Sequence, residues 1–434
     1  MGVCVAILGS SSAPVHLRDS GRCQWCPQLR DPLVVVGPKA AQRHSKRQPS
    51  ASHARLPCVG CALAAGTQRA RRRGGRAALS APGAGPPRSS APGRPVRPRR
   101  AAVLCQPVLD ALERPLRLGR WTLPGRLLLA PLESVSDCAY RRLCSELGAA
   151  FSWTEMARAA ALARRNAATF NLMDTFDPET LTGVQLLASK PKELRRALDV
   201  LDELSRSTCP HWACGIHGVD LNFGCPSPDV VGHGAGPAMV KRTKRLRELF
   251  ETLAEWRAST ELPVGVIGAK MRTGMNLVEE DQGAFLGAME AASGLLDYVT
   301  LHARNAKDES ASPARWDCIR VAKEVVGSSL VIIGNGDVFT REGAAAMIAE
   351  TGCDAVLVAR GAIRTGGLIF RKGWRGGAAD LAAAADGLER RYGELVRRFS
   401  RVGPRPKYAR FHREAFRRLR ESVRSEPDGV ALGG

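Results

Sequence analysis

Acidic residues are nearly absent from the first quarter of this 434-residue chain. Up to Cys105 the only acidic residues are Asp19 and Asp31, against 18 lysines and arginines. This stretch therefore carries +16 of the formal net charge of +22, and the high charge says little about the remainder. Its Ser, Ala, Arg, Pro and Gly cannot bury enough apolar surface to offset the entropy lost on ordering. We predict a disordered basic targeting segment over residues 1–105.

The composition of this segment is typical of an organelle transit peptide. The stretch Val96–Ala102 favours the chloroplast, with the mitochondrion as the alternative destination. A basic arm that holds RNA by charge is the competing interpretation. The segment also has two Cys-x-x-Cys pairs, Cys23/Cys26 and Cys58/Cys61, whose separation is longer than usual for a zinc site. We therefore predict no metal centre.

Two further absences exclude classes of protein. The longest apolar runs fall short of the ~18 residues that a membrane span requires, so we expect no membrane partner. The 13 cysteines are scattered along a long chain, which is unlike a short disulfide-stapled secreted scaffold. The body of the chain therefore has to be explained as a globular domain with its own core.

From about Leu116 onward, short apolar runs alternate with segments of helical length, such as Pro191–Leu204 and Arg242–Arg257. Such alternation predicts parallel strands joined by helices. Eight runs within roughly 250 residues match an α/β fold of the (β/α)8 TIM barrel type, which we predict over residues 116–380. A doubly wound open sheet is the alternative, but it requires fewer units and a Gly-rich fingerprint after the first strand. The eight predicted strands are Leu127–Ala130, Phe151–Thr154, Gly183–Leu187, Val219–Phe223, Val264–Ile267, Tyr298–Leu301, Leu330–Ile333 and Ala355–Val358.

Beyond the barrel, residues 386–425 are predicted to form a short, basic helical extension. Aromatic and aliphatic residues recur there at helical spacing between many arginines. Basic side chains with interleaved aromatics are typical of proteins that hold a nucleic-acid backbone. A solvated helical cap with ordinary surface charge is the alternative.

The stretch Asp220–Pro226 is the most informative motif of the barrel. Cys225 comes just after the predicted strand Val219–Phe223, in a turn that contains Gly224 and Pro226. Barrel enzymes build their active sites at the C-terminal ends of the strands, so a thiol there is a candidate reactive group. A buried structural cysteine is the alternative.

Three further polar residues lie within other predicted strands or at their ends. Gln185 lies within an apolar strand and needs partners, which could be the edge of a ring or neighbouring backbone. Lys270 could face an electron-rich ring or a phosphate, or extend to solvent. His302, with Arg304 behind it at the rim, could belong to the site or be structural.

Three loops could hold a ligand through their backbone. The turn Ala130–Asp137 could lie against a flat ligand, or it could only lead into a helix. The loops Gly334–Asp337 and Ala359–Gly361 follow strands seven and eight, which is a frequent phosphate site of barrels. Glycines let backbone N–H groups approach an anion, and Arg360 offers a forked charge. Tight turns without a ligand are the alternative.

Together these motifs resemble the tRNA-dihydrouridine synthases, flavoenzymes that reduce uridine in the tRNA D-loop. The resemblance extends from about Leu127 to Phe370 and is most specific at Asp220–Pro226 and Gly234–Gly236. The sequence of Leu221–Pro226, together with Glu133, looks most like that of the bacterial C-type branch. That branch is associated with the uridine at position 16. The sequence departs from the family at Ala359 and Ala303, where glycine is usual, and at Val230–His233, where basic residues are usual.

The resemblance implies a set of roles for the residues of this chain. It implies that NADPH or NADH reduces FMN, that the flavin reduces uracil and that Cys225 is the catalytic proton donor. The flavin ring and ribityl chain would be held by Pro131, Leu132, Glu133, Gln185, Lys270 and His302, with Asn222 nearby, and the phosphate by Asn335, Gly336, Asp337, Ala359 and Arg360. The tRNA partner would be bound by Arg304, Arg398, Arg405 and Lys407.

We expect a monomer, and two other functions compete with this one. The first is an FMN barrel that reduces a free pyrimidine, which would have no use for a basic tail. The second is a catalytically inactive barrel that binds RNA, which would lack flavin-dependent activity.

Overall fold

The computed structural model describes residues 109–174, 177, 179–206, 216–399 and 406–422. The predicted targeting segment, both Cys-x-x-Cys pairs and Arg405 lie outside these residues. Within them, no helix combines the length and apolar character needed to cross a membrane.

The described residues form ten strands and a series of α-helices, interspersed with short 3-10 turns. The strands are β1 (Leu116–Leu118), β2 (Trp121–Leu123), β3 (Leu127–Leu129), β4 (Ser152–Arg158), β5 (Thr182–Leu187), β6 (Gly218–Phe223), β7 (Val266–Arg272), β8 (Tyr298–His302), β9 (Val331–Asn335) and β10 (Ala355–Val358). The helices are α1 (Cys138–Glu146), α2 (Ala159–Ala163), α3 (Ala167–Leu172), α4 (Pro191–Arg206), α5 (Pro228–Gly232), α6 (Thr243–Ser259), α7 (Leu277–Asp281), α8 (Ala284–Ala292), α9 (Asp317–Val326), α10 (Arg341–Thr351), α11 (Arg360–Arg364), α12 (Ala378–Phe399) and α13 (Pro406–Glu421).

Strands β3 to β10 close into a barrel in chain order, with β10 paired to β3 and every pairing parallel. The predicted (β/α)8 architecture is confirmed, and the open sheet is excluded. Strands β4 and β7 extend furthest beyond their predicted ends, since β4 continues to Arg158 and β7 continues to Arg272. The apolar pattern stops early in both, since Glu155 and Lys270 are strand residues that take part in the polar end of the barrel.

A small hairpin of β1 and β2 covers the N-terminal end of the barrel. The backbone N–H of Arg120 donates to the carbonyl of Gly265, and the indole of Trp121 donates to the carbonyl of His217, at 2.7 and 2.9 Å. Both acceptors directly precede barrel strands. Leu118 and Leu123 of the hairpin are fully buried in the barrel interior. This end is therefore plugged by apolar side chains, and the functional groups are left to the opposite end.

Aromatic rings fill the middle of the barrel. The ring of Trp153 lies 4.9 Å from that of Phe151 and 5.7 Å from that of Tyr298, measured between centroids. The Tyr298 ring occupies the space beside Gly268 of β7, where a Cβ atom would come within 2.2 Å of it. Glycine at this position lets a tyrosine reach across a neighbouring strand.

Helices α12 and α13 pack against each other, and α12 also packs against α1. His412 of α13 stacks among aromatic rings, with centroids 4.3 Å from Tyr392 and 4.7 Å from Tyr140. Phe416 and Leu419 are buried in the same contact. The helical extension thus shares an aromatic core with the first helix of the barrel.

Candidate active site

The loop after β6 is held in place by the side chain of Asn222. Its Oδ1 atom accepts the backbone N–H groups of Gly224 and Cys225, at 3.0 and 2.9 Å. The carbonyl of Cys225 packs against Gly236, whose φ of 61° lies in the left-handed region where a side chain would be strained. Cys225 is half-buried and unpaired with any other cysteine. The structure therefore places a free thiol at the C-terminal lip of the barrel, as predicted.

Gln185 is buried on β5 and uses both ends of its amide within the barrel. Its Nε2 atom donates to the carboxylate of Asp220 at 2.7 Å, and its Oε1 atom accepts from Asn222 at 2.8 Å. The amide of Gln185 thus bonds to neighbouring side chains, so the predicted alternative of neighbouring backbone partners is wrong. The Nε2 atom of Gln185 keeps one further hydrogen and its Oε1 atom keeps one further lone pair, and both could bind a ligand.

Asp220 is a buried carboxyl group that was not among the predicted site residues. It also accepts the hydroxyl of Tyr298 at 2.7 Å. Burial raises its pKa to about 6, against the opposing effects of the two donors and of Lys270. The signal in the sequence was an acidic residue within an apolar strand, which requires buried partners.

Lys270 and His302 lie among basic side chains at the ends of β7 and β8. Burial, with Arg272 nearby, lowers the pKa of Lys270 to about 8. Lys270 makes no hydrogen bond or ion pair with any of the described residues. Burial lowers the pKa of His302 well below its usual value, and four surrounding cations lower it further. His302 is therefore neutral at physiological pH, while Lys270 remains a charged donor.

The tautomer of His302 follows from its contact with Arg304. A guanidinium group only donates hydrogen bonds, and its Nη1 atom lies 3.2 Å from His302 Nε2. The Nε2 atom must accept, so the neutral ring carries its proton on Nδ1. His302 can thus offer an N–H group to a ligand.

Asp337, which follows β9, gathers Arg304 from the end of β8 and Arg360 from the end of β10. Its carboxylate accepts from Arg304 at 2.6 and 2.8 Å, from Arg360 at 2.8 Å and from the backbone N–H of Ala314 at 2.7 Å. These donors occupy the carboxylate, and a carboxylate would repel a phosphate. In this arrangement Asp337 positions the arginines, and only its backbone could contact an anion.

Arg304 is 2% exposed, and its guanidinium also donates to the carbonyl of Ser312. Contact between Arg304 and a tRNA, as predicted, would require its release from Asp337. The geometry instead makes Arg304 part of the wall of the barrel mouth. Arg360 is more accessible, with a side chain that is 39% exposed.

A cavity of about 170 Å³ opens beside these residues. Asn335 lies in its wall, and its side chain donates to the carbonyl of Leu357 at 2.7 Å. Gly336 adopts a φ of 126°, and Ala359 directly precedes the short helix α11. The cavity wall also contains Arg272, His302, Arg304, Asp337, Phe339 and Arg360. Its charged side chains are three arginines and three carboxylates, the latter from Asp308, Glu309 and Asp337. The forked donors of the arginines, rather than an excess of positive charge, suit a phosphate group.

Hydrogen bonds within the first loop of the barrel, Ala130–Asp137, hold its shape. The N–H of Leu132 donates to the hydroxyl of Ser136 at 2.9 Å, and its carbonyl accepts the N–H groups of Val135 and Ser136. Pro131 is half-buried and Glu133 is exposed. The turn is therefore rigid, and the backbone groups of Leu132 are already used within it.

The helical extension is attached to this loop by buried polar contacts. His412 contacts the carbonyl of Val135 at 2.9 Å, and the hydroxyl of Tyr408 donates to the carboxylate of Glu155. Glu155 also accepts the N–H of Ser134 at 2.6 Å. Neither Glu155 nor Tyr408 was predicted from the sequence. The extension thus lies at the same end of the barrel as Cys225.

The outer face of the extension carries charge. Arg398 and Lys407, two of the predicted tRNA contacts, are both exposed. Several arginines of the extension pair with acidic neighbours, as Arg417 does with Glu414. Six exposed cations form no ion pair within the described part of the chain: Arg390, Arg397, Arg398, Lys407, Arg410 and Arg413.

Fold and site together define a barrel enzyme whose polar groups converge at the C-terminal ends of the strands. The model of the family described as "Dihydrouridine synthase (Dus)" matches residues 128–420. The chain belongs to this family and is an oxidoreductase. The matched region includes both α12 and α13.

Individual relatives agree with this assignment. The chain is 29% identical over 261 residues to a "Probable tRNA-dihydrouridine synthase" of Treponema pallidum (strain Nichols), which covers 58% of this chain and 72% of the relative. It is 29% identical over 222 residues to a "tRNA-dihydrouridine(47) synthase [NAD(P)(+)]-like" protein of Oryza sativa subsp. japonica, covering 50% of this chain and 29% of that protein. Among solved structures, histamine dehydrogenase from Rhizobium sp. 4-9 matches with 15% identity and a TM-score of 0.47, covering 60% of this chain and 47% of that one.

The raised pKa of Asp220 predicts a pH dependence of stability. Between about pH 4 and pH 6 the folded carboxyl keeps a proton that the unfolded chain releases. The free energy of unfolding should therefore fall as the pH rises through this window, by up to about 1.4 kcal/mol per pH unit. The Asp220→Asn variant should lack this contribution. Chemical denaturation of both proteins at a series of pH values measures the difference.

Asp317→Asn is the matched control, because the Asp317 side chain is 88% exposed. Its unfolding curve should follow that of the wild type at every pH. Equal pH dependence of the wild type and the Asp220→Asn variant would contradict the assigned pKa.

Proposed function

We propose that this protein is a tRNA-dihydrouridine synthase that uses FMN and NADPH to reduce a uridine of the D-loop. The observation that carries the proposal is the half-buried thiol of Cys225, which Asn222 holds at the barrel mouth. Membership of the dihydrouridine synthase family and the names of its relatives support the choice of reaction. The arginines in the wall of the cavity beside His302 support a phosphate-bearing cofactor.

The residues of the mouth fit FMN by the chemistry of their donors. Arg360, Gly336 and Ala359 would hold its phosphate, with Arg304 supplying charge from behind and Asp337 keeping the arginines in place. Lys270, the Nδ1–H group of His302 and the free amide positions of Gln185 would face its ring and ribityl chain. A bound flavin would supply the hydride for C6 of the uracil ring, with electrons that originate from the nicotinamide cofactor.

Cys225 has one task in this reaction. Its Sγ atom would give a proton to C5 of the ring, so that a hydride and a proton together saturate the C5–C6 bond. The resulting thiolate would recover its proton from solvent. The hydrogen bond from the Cys225 N–H to Asn222 keeps the loop, and therefore the thiol, in one place during the transfer.

The helical extension supports a polymer as the substrate. Its six cations without an ion pair are exposed, and the contacts of Tyr408 and His412 hold the extension at the end of the barrel that holds Cys225. Cations of this kind bind phosphates regardless of sequence. The target base must also leave its stack to reach the barrel, at a cost of a few kcal/mol. Phosphate contacts outside the barrel would supply binding energy to offset that cost.

Replacement of the thiol tests the reaction. The Cys225→Ala variant should keep its bound flavin and its oxidation of NADPH, because neither step uses the thiol. Dihydrouridine formation should fall by about 100-fold or more, the usual contribution of a positioned proton donor. Mass spectrometry of tRNA nucleosides after reaction measures the product. The half-buried Cys318 provides the control, since Cys318→Ala should leave both activities intact. Normal product formation by Cys225→Ala would exclude this cysteine as the proton donor.

Neutralising two exposed cations tests the role of the extension. The double variant Arg398→Gln/Lys407→Gln should raise KM for tRNA. The slope of the logarithm of the binding constant against the logarithm of the salt concentration should become shallower by about 1 per lost phosphate contact. Titration of tRNA at several salt concentrations measures both quantities. The matched control is Arg117→Gln/Arg120→Gln, at the exposed hairpin on the opposite end of the barrel, which should bind as the wild type does. An equal loss of tRNA binding in both double variants would contradict the role of the extension. A protein that reduces free uracil but not tRNA, and does so equally well in both variants, would favour the small-molecule reductase.

We extend the proposal to the position of the uridine and to the organelle. The wording of Leu221–Pro226 favours position 16, and the basic segment before Cys105 favours the chloroplast. A strain that lacks this protein should lose dihydrouridine at position 16 of chloroplast tRNAs while its cytosolic tRNAs keep theirs. Position-resolved sequencing of the two tRNA pools measures this. Loss only at other positions or only in mitochondrial tRNAs would redirect the assignment.

A further inference from the structure

A row of side chains crosses four adjacent strands beneath the barrel mouth. Gln185, Asp220, Gly268 and Tyr298 are register partners, one on each strand from β5 to β8. Glycine on the third strand leaves the space through which the tyrosine ring reaches the carboxylate of Asp220. The outer two members both donate to this carboxylate, at 2.7 Å each.

Hydrogen bonds extend from this row to the loop that contains Cys225. Asn222 lies two residues beyond Asp220 on the same strand, and its Nδ2 atom donates to Gln185 Oε1 at 2.8 Å. Its Oδ1 atom accepts the N–H groups of Gly224 and Cys225. An unbroken chain of hydrogen bonds therefore joins a buried carboxylate to the backbone of Cys225.

The direction of every bond in this chain is set by its two ends. An ionised carboxylate can only accept, so Gln185 must turn its Nε2 atom toward Asp220 and its Oε1 atom toward Asn222. Backbone N–H groups can only donate, so Asn222 must turn its Oδ1 atom toward the loop and its Nδ2 atom toward Gln185. The two requirements agree. With either amide reversed, donors would face donors or acceptors would face acceptors.

We infer that Asp220 is a positioning residue that fixes the orientation of Gln185 and Asn222 and, through them, the loop of Cys225. This inference rests on the proposed function for its consequence, which is a thiol held in register with the reacting ring. A carboxyl group is an expensive way to fill the barrel interior, because burial opposes its charge. Leucine would fill the space without that cost, and it would leave Gln185 oriented by Asn222 alone. The carboxylate thus serves orientation rather than core packing.

The test measures the loop directly, without tRNA or added cofactor. Asp220→Leu removes the acceptor, so hydrogen exchange of the Gly224 and Cys225 amides should become about tenfold faster, the effect of losing one buried partner. Alkylation of Cys225 by iodoacetamide, followed by peptide mass spectrometry, should accelerate as well. Asp220→Asn keeps an oxygen that can face Gln185, and Tyr298→Phe leaves the carboxylate in place. Both should stay within about threefold of the wild type.

Two comparisons separate positioning from general damage to the core. Thr300→Val removes another buried polar group, on β8, and should leave exchange at Gly224 and Cys225 unchanged. Gln185→Met breaks the same chain one link later and should loosen the loop as much as Asp220→Leu does. The double variant Asp220→Leu/Gln185→Met should loosen it no further, because one broken link already disconnects the chain. Should Asp220→Leu fail to fold, Gln185→Met and Asp220→Asn still provide the comparison.

The outcomes are distinct. Unchanged exchange at Gly224 and Cys225 in folded Asp220→Leu, or in Gln185→Met, overturns the inference. Equal loosening in Asp220→Asn and Asp220→Leu also overturns it, because charge rather than the acceptor would then hold the loop. A wild-type protein that makes no dihydrouridine would refute the proposed function while the exchange results still decide the positioning role.

Discussion

The parallel pairing of β10 with β3 is the constraint on which the rest of the molecule depends. It closes the sheet, so the C-terminal ends of all eight strands meet in one ring. Residues as distant in sequence as Gln185 and Tyr298 come to share one row of side chains only because each strand is locked to the next in register. The hairpin of β1 and β2 plugs the other end with leucines, so the open ring is the end available to ligands.

Charge at this ring is arranged around two carboxyl groups. Asp337 collects Arg304 and Arg360 beside the cavity, and Asp220 orients the amides of Gln185 and Asn222. Neither carboxyl group needs to touch a ligand for these effects. Each one holds donors that keep further hydrogens, which under the proposed function would bind an anionic cofactor and a polar ring at little further cost in entropy.

The helical extension lies at the end of the barrel that holds Cys225, where under the proposed function it would meet a larger substrate. Its inner face is an aromatic cluster around His412, and burial lowers the pKa of that histidine to about 4, so it is neutral in this contact. Its outer face keeps unpaired cations such as Arg398 and Lys407. One short pair of helices can thus be attached to the barrel by apolar contacts and hydrogen bonds while it presents positive charge to solvent.

The barrel could be predicted from the residues alone, because eight apolar runs separated by helix-length segments leave few other architectures. The pattern also located Gln185 within a strand and Asn222, Cys225, Lys270 and His302 near strand ends, since polar residues interrupt an apolar pattern visibly. The hydrogen-bond partners of these groups, in contrast, could be found only in the folded chain. Asp220 and Tyr298 are 78 residues apart, and the space beside Gly268 that lets them meet exists only where β6, β7 and β8 pair in register. The same holds for Arg304, which pattern alone placed at the rim and packing made into a buried partner of Asp337, because hydrogen-bond partners are set by distances in space rather than by spacing along the chain.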